Sequence, residues 1–222
     1  MNVPAQCKNI LLPVILFGAL LPVPMRAIAA DKSAVDIIKR VQQTVKNLKT
    51  LSCSFEQEHY MKTVDRTNTI AGTIRMKIPT MLRVEYPAQT IVVDGKSVWW
   101  YIPKNRQVTV QTFEEGEETF PTPYGIFRKY IAADESTETA VFEGSSKIDG
   151  RACYILRLGV KGDSSTRVWI DSKLYFPARS VEERANGDRT TNVLRDIMLN
   201  GKLDSDLFTF EVPDSVTVVD MR

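Results

Sequence analysis

Leu82-Arg83-Val84-Glu85-Tyr86-Pro87, followed by Ile91-Val92-Val93-Asp94-Gly95-Lys96-Ser97-Val98-Trp99-Trp100-Tyr101, reads as strand, break, strand, Asp-Gly turn and strand. Val, Ile, Trp and Tyr recur along these runs, and none of the residues is placed as a catalytic group would be. Consecutive antiparallel strands of this composition build a broad apolar surface rather than a reaction centre.

The same period of two extends outward from this stretch. Leu51, Cys53 and Phe55 alternate with Ser52, Ser54 and Glu56, and Ile70, Gly72, Ile74 and Met76 alternate with Ala71, Thr73, Arg75 and Lys77. Turn signals fall at Asp94-Gly95, Asp149-Gly150, Asn186-Gly187 and Asn200-Gly201. A long antiparallel meander, barrel-like or strongly curved, is predicted. Ahead of it, Ser33-Ala34-Val35-Asp36 resembles a capping box, and Val35, Ile38, Val41, Val45 and Leu48 follow at helical spacing, which predicts an amphipathic helix over 33–49. A second short helix is predicted within 120–131, where prolines precede apolar residues at 124, 127 and 131. The acidic Glu114-Glu115-Gly116-Glu117-Glu118 before it reads as a solvated loop.

Residues 1–29 differ from the rest. Lys8 is followed by the apolar run from Ile10 to Leu21 and by Ala27-Ile28-Ala29, the pattern of a cleaved secretory signal. The run is shorter than the roughly 20 residues a spanning helix needs and is interrupted by proline. The expected organisation is therefore a signal over 1–29 and a single domain over 30–222. Lys8 and Arg26 are the only charged residues in 1–29, so the 29 Lys and Arg fall to 27 in the expected mature chain, against 27 Asp and Glu. Formal neutrality gives no reason to expect nucleic acid as a partner. Cys53 and Cys153 remain in that chain, and a domain of this size needs no covalent staple. Two buried free thiols are expected, with a bridge between them as the alternative.

The chain has one histidine, His59, beside Glu58 and Tyr60 on the first predicted strand, without partners at a spacing that would make a metal site or a nucleophilic triad. It has no Gly-x-Ser-x-Gly elbow, phosphate-cradling loop, Cys-x-x-Cys or His-Glu-x-x-His. No enzyme, metal or cofactor is expected.

At this point the sequence resembles the LolA-type family of periplasmic outer-membrane lipoprotein carriers. The resemblance runs from Ser54-Phe55-Glu56-Gln57 through Gly72-Thr73-Ile74-Arg75-Met76-Lys77-Ile78-Pro79, Arg83-Val84-Glu85-Tyr86 and Val93-Asp94-Gly95-Lys96-Ser97-Val98-Trp99-Trp100-Tyr101-Ile102-Pro103 to Phe208-Thr209-Phe210-Glu211-Val212-Pro213 and Val216-Thr217-Val218-Val219-Asp220. It implies an α+β, mainly antiparallel fold: an incomplete, half-open barrel of about eleven strands with a lid of short helices over a hydrophobic cavity. It also implies a monomeric periplasmic chaperone that takes lipoprotein acyl chains from an inner-membrane ATP-driven release complex and hands them to an outer-membrane receptor.

On that resemblance the cavity wall is expected at Ile74, Met76, Ile78, Leu82, Val84, Tyr86, Val98 and Trp100. The lid is expected at Val35, Ile38 and Val45 on the first helix and at Phe120, Tyr124, Phe127 and Ile131 on the second. Alternation alone leaves open which of Trp99 and Trp100 faces inward. Two positions depart from the family pattern: Ile78 stands where an Arg commonly precedes the proline and holds the lid, and Val84 stands in place of a Trp. A regulatory half-barrel that senses lipid or lipoprotein is the alternative function, and a barrel filled by its own helices is the alternative to a cavity.

Overall fold

The structure, a computed structural model, describes residues 33–114, 140–159 and 164–222. The helix expected within 120–131, with Phe120, Tyr124, Phe127 and Ile131, and the signal expected over 1–29 both fall outside the described residues.

One helix, α1 (Ala34–Lys46), precedes β1 (Thr50–Met61), β2 (Arg66–Lys77), β3 (Met81–Glu85), β4 (Thr90–Asp94), β5 (Ser97–Ile102) and β6 (Gln107–Thr112). After the interval come β7 (Val141–Ile148), β8 (Arg151–Gly159), β9 (Ser164–Asp171), β10 (Pro177–Arg184), β11 (Arg189–Leu199) and β12 (Thr217–Asp220). The described residues thus hold twelve strands, in keeping with the expected barrel of about eleven. They form one sheet in the order β12-β6-β5-β4-β3-β2-β1-β11-β10-β9-β8-β7, open at both edges. Every pairing is antiparallel except that of β12 with β6, which is parallel.

The order follows from short connections. Asp149 and Gly150 both take positive φ between β7 and β8, the geometry of a tight hairpin, and Gly95 (φ 95°) and Gly187 (φ 85°) turn β4 into β5 and β10 into β11. Asn200-Gly201 plays another part. Asn200 ends β11 in the left-handed region (φ 58°), and its Oδ1 accepts from the Lys49 amide at 2.7 Å, tying the link between α1 and β1 to the sheet. The helix starts as its sequence suggests: the Asp36 amide donates to Ser33 Oγ at 3.1 Å, and Ser33 Oγ donates to Asp36 Oδ2 at 2.9 Å.

The main core lies between α1 and the face of the sheet that it covers, called here the inner face. Ile37, Ile38 and Val41 of the helix are buried with Leu51, Cys53, Phe55, Ile74 and Val84, and with Leu156, Val168, Ile170 and Leu194 from the other half of the sheet. Gly72 is required here, because a Cβ would sit 2.9 Å from the Phe55 ring and against the Glu85 carbonyl.

Candidate functional site

The predicted wall residues fall into register as two rows across the sheet. Ile74 opposes Val84, Val84 opposes Ile91, and Ile91 opposes Trp100. Met76 opposes Leu82, Leu82 opposes Val93, and Val93 opposes Val98. Because side chains alternate along each strand, antiparallel register places Ile74, Met76, Leu82, Val84, Val98 and Trp100 on the inner face, and Ile78 and Tyr86, just past the ends of β2 and β3, pack against the same core. They divide by accessibility. Ile74, Val84 and Val98 are fully buried, whereas Met76, Ile78, Leu82, Tyr86 and Trp100 pack on that core but remain partly open. The first three form a filled floor, and the others form the apolar surface above it.

Trp99 points the other way. Its Nε1 donates to Asp94 Oδ2 at 2.9 Å, and its ring stacks on Phe210 with centroids 5.6 Å apart. Tyr86 meets Phe55 edge to face at 5.4 Å, and burial raises the pKa of its hydroxyl, favouring the neutral phenol at this apolar surface.

On α1 the expected lid needs one correction. Ile38 is buried and Val45 packs partly against the core, but Val35 is 37% exposed and faces outward. At 100° per residue, Ala34, Ile37, Ile38, Val41 and Val45 share one arc of the helix, and Val35 falls outside it. The covering residues missed in the sequence reading are Ala34 and Ile37. The helix is tethered beside the surface by Arg40 Nη1, which donates to Tyr175 Oη at 3.0 Å, and by Thr44 Oγ1, which donates to the Leu174 carbonyl at 3.4 Å. Tyr175 continues as an aromatic run to Tyr154 (6.0 Å) and Phe142 (6.4 Å).

Ile78 packs against the edge of the core, and its amide donates to the Lys49 carbonyl at 2.8 Å. This position is therefore anchored by its backbone to the α1–β1 link, with an apolar side chain.

The outer face of the same half-sheet carries a different surface. Residues 204–213 run across it, burying Phe208 with Val92, Val108 and Val110, and laying Phe210 over Trp99 and Tyr101. Beside this segment lies a groove of about 580 Å³ lined by Arg83, Asp206, Glu211 and neighbours. Glu85 joins Arg75 (2.6 Å) and Arg83 (2.9 Å) next to it, and Arg83 Nη1 donates to the Leu207 carbonyl at 3.3 Å. Burial pushes the Glu85 pKa up, but hydrogen bonds from the two Arg and Thr73 outweigh it and leave the carboxyl below its usual range. Charged and polar side chains thus dominate this groove, in contrast to the inner face.

Cys53 and Cys153 are free and buried. Cys53 belongs to the inner core, whereas Cys153 alternates with Tyr154 and Leu156, which face that core, and so points to the outer side. Burial first, and then the Asp196 charge, push the Cys53 thiol up to about 12. Burial thus keeps this thiol protonated within the apolar core.

Comparison with known proteins agrees with this architecture. The chain is 27% identical over 212 residues to an outer-membrane lipoprotein carrier protein of Pseudomonas paraeruginosa, covering 92% of this chain and 96% of that one. In fold it is similar to the crystal structure of an uncharacterised conserved protein from Thermus thermophilus, with a TM-score of 0.54 at 14% identity over 85% of this chain and 99% of that one. It is also similar in fold to the Mycobacterium tuberculosis lipoprotein LppX, with a TM-score of 0.51 at 10% identity over 78% and 98% of the two chains. Residues 46–211, spanning β1 to β11 and the segment across the outer face, match the family described as outer membrane lipoprotein carrier protein LolA, and the chain belongs to that family.

Proposed function

We propose that the protein is a periplasmic carrier that holds the acyl chains of lipoproteins against the inner face of its half-barrel. The chains would come from an inner-membrane ATP-driven release complex and pass to an outer-membrane receptor, with the protein acting as a monomer over 30–222 after loss of the signal. The observation that carries this reading is the half-open apolar surface of Met76, Leu82, Tyr86 and Trp100 above a fully buried floor, in a chain of the lipoprotein carrier family.

Energetics explain why an aqueous compartment needs such a surface. Each exposed acyl methylene costs about 0.8 kcal/mol, so three chains of roughly fifteen methylenes cost on the order of 36 kcal/mol in water. A carrier must also release its cargo, which favours adaptable side chains such as Met76 over a rigid, sealed pocket. No catalytic step is needed, and none is assigned.

The test is a release assay. Purified protein is added to spheroplasts whose lipoproteins are labelled, and the supernatant is examined for a soluble complex. Label migrating with the carrier supports the reading, and label that stays with the membrane contradicts it.

A further inference from the structure

The inner face turns polar toward one end of adjacent strands, one row later on β9 than on β1 and β11. On β1 the inward residues Leu51, Cys53 and Phe55 give way to Gln57 and His59; on β11 Leu194 gives way to Asn192 and Thr190; on β9 Ile170 and Val168 give way to Thr166. Register brings the polar residues together. Gln57 opposes Asn192, which opposes Ser180, and His59 opposes Thr190, which opposes Glu182, which opposes Thr166.

Most of this level is internally bonded. Gln57 Nε2 donates to Asn192 Oδ1 at 2.8 Å, Asn192 Nδ2 donates to Ser180 Oγ at 3.2 Å, and His59 Nδ1 and Thr190 Oγ1 are hydrogen-bonded at 3.0 Å. Thr166 is the exception: it is 0% exposed, and its Oγ1 has no partner. A buried hydroxyl left unmet is unfavourable, so a strand position beside Val168 gains nothing from Thr unless something meets that oxygen.

We propose that this level is a polar subsite for the ester or amide carbonyls of an acylated ligand, with Thr166 Oγ1 as the unpartnered donor and the chains lying along the apolar level. The inference rests on the proposed acyl-binding role of the inner face. The chemistry of the lining selects the ligand class. Amides and hydroxyls match uncharged carbonyls, and the Glu182–Arg184 ion pair at 3.6 Å adds no net charge that would attract a phosphate or carboxylate. An amphiphile with apolar tails and an uncharged carbonyl linkage fits a face divided in this way.

The test compares three probes on the wild type, Thr166→Val and Thr166→Ser: diphenylhexatriene, which has no carbonyl; dioctanoylglycerol, which has esters only; and a triacylated cysteinyl lipopeptide, which has both esters and an amide. Thr166→Val is expected to weaken the two carbonyl ligands about three- to tenfold, the loss of one hydrogen bond, while leaving diphenylhexatriene unchanged. Thr166→Ser restores the affinity, and Thr166→Val does not lower the Tm, because the hydroxyl it removes has no partner. Loss for the lipopeptide alone assigns the contact to the amide, and loss for both ligands assigns it to the ester. Equal weakening of all three probes, or no change in any, overturns the subsite while leaving the acyl-binding reading intact. Failure of the wild type to bind any probe overturns both.

Discussion

Trp99 and Trp100 are adjacent in the chain and lie on opposite sides of the sheet, Trp99 bonded to Asp94 and stacked on Phe210, Trp100 packed at the inner apolar surface. One pair of residues therefore reports on both faces. Filling the inner surface with an acyl ligand is expected to shift Trp100 emission to the blue. Trp100→Phe removes most of that change, and Trp99→Phe keeps it. Loss of the shift in Trp99→Phe would place the ligand on the outer face.

The division between floor and surface predicts two different outcomes for the same chemical change. Met76→Lys can turn its ammonium to water from a partly open position, so the fold persists while affinity for an apolar probe falls at least about tenfold. Val84→Lys places a charge in a fully enclosed site at a cost of several kcal/mol, and thermal unfolding is expected to shift steeply downward. If Met76→Lys unfolds the protein as readily as Val84→Lys, Met76 belongs to the filled core.

A pH dependence follows from Glu85 on the outer face. Its folded pKa is depressed, so its contribution to stability is complete above the usual carboxylate range and is lost as pH falls through the lowered value. The group is partly exposed, which limits that contribution to about 1 kcal/mol or less after screening. Glu85→Gln is expected to lose stability at neutral pH and to flatten the acid limb of the Tm profile. An acid limb identical to wild type would show that the Arg75–Glu85–Arg83 group adds nothing measurable.

Much of this arrangement is legible in the sequence, because inward residues recur at period two and the Asp-Gly and Asn-Gly turns set the hairpins that hold them in register. The inner rows at 74–76, 82–84 and 98–100 follow from that alternation. Val35 does not, since in the first turn of a helix two adjacent apolar candidates differ by 100° and spacing alone does not fix the arc. The outer-face cover by 204–213 is also hidden: Phe208 and Phe210 carry no strand or helix period, and their partners Trp99 and Tyr101 lie about a hundred residues away, a long-range contact that local patterning does not encode. The parallel pairing of β12 with β6 depends on that same crossing. The polar level at Thr166 is written in the sequence as apolar-to-polar switches on separate strands, which become one site only once register is known.

The positions of the cysteines predict their chemistry. In the native protein neither Cys53 nor Cys153 is expected to react rapidly with a thiol reagent at about pH 8, and oxidant is not expected to join them, because they face opposite sides of the sheet. Unfolding is expected to expose two thiols in the exported protein and three if residues 1–29, which contain Cys7, are retained. A bridge formed in the native state would contradict the facing of Cys153.

The central claim is that the inner face carries lipoprotein acyl chains. The most direct measurement is native mass spectrometry of the protein purified from periplasm without detergent, comparing wild type with Met76→Lys. The account predicts a fraction of wild-type protein carrying one triacylated lipoprotein, and none on Met76→Lys at equal folded yield. Wild type recovered only with free phospholipid, or with equal lipoprotein on both forms, would contradict it.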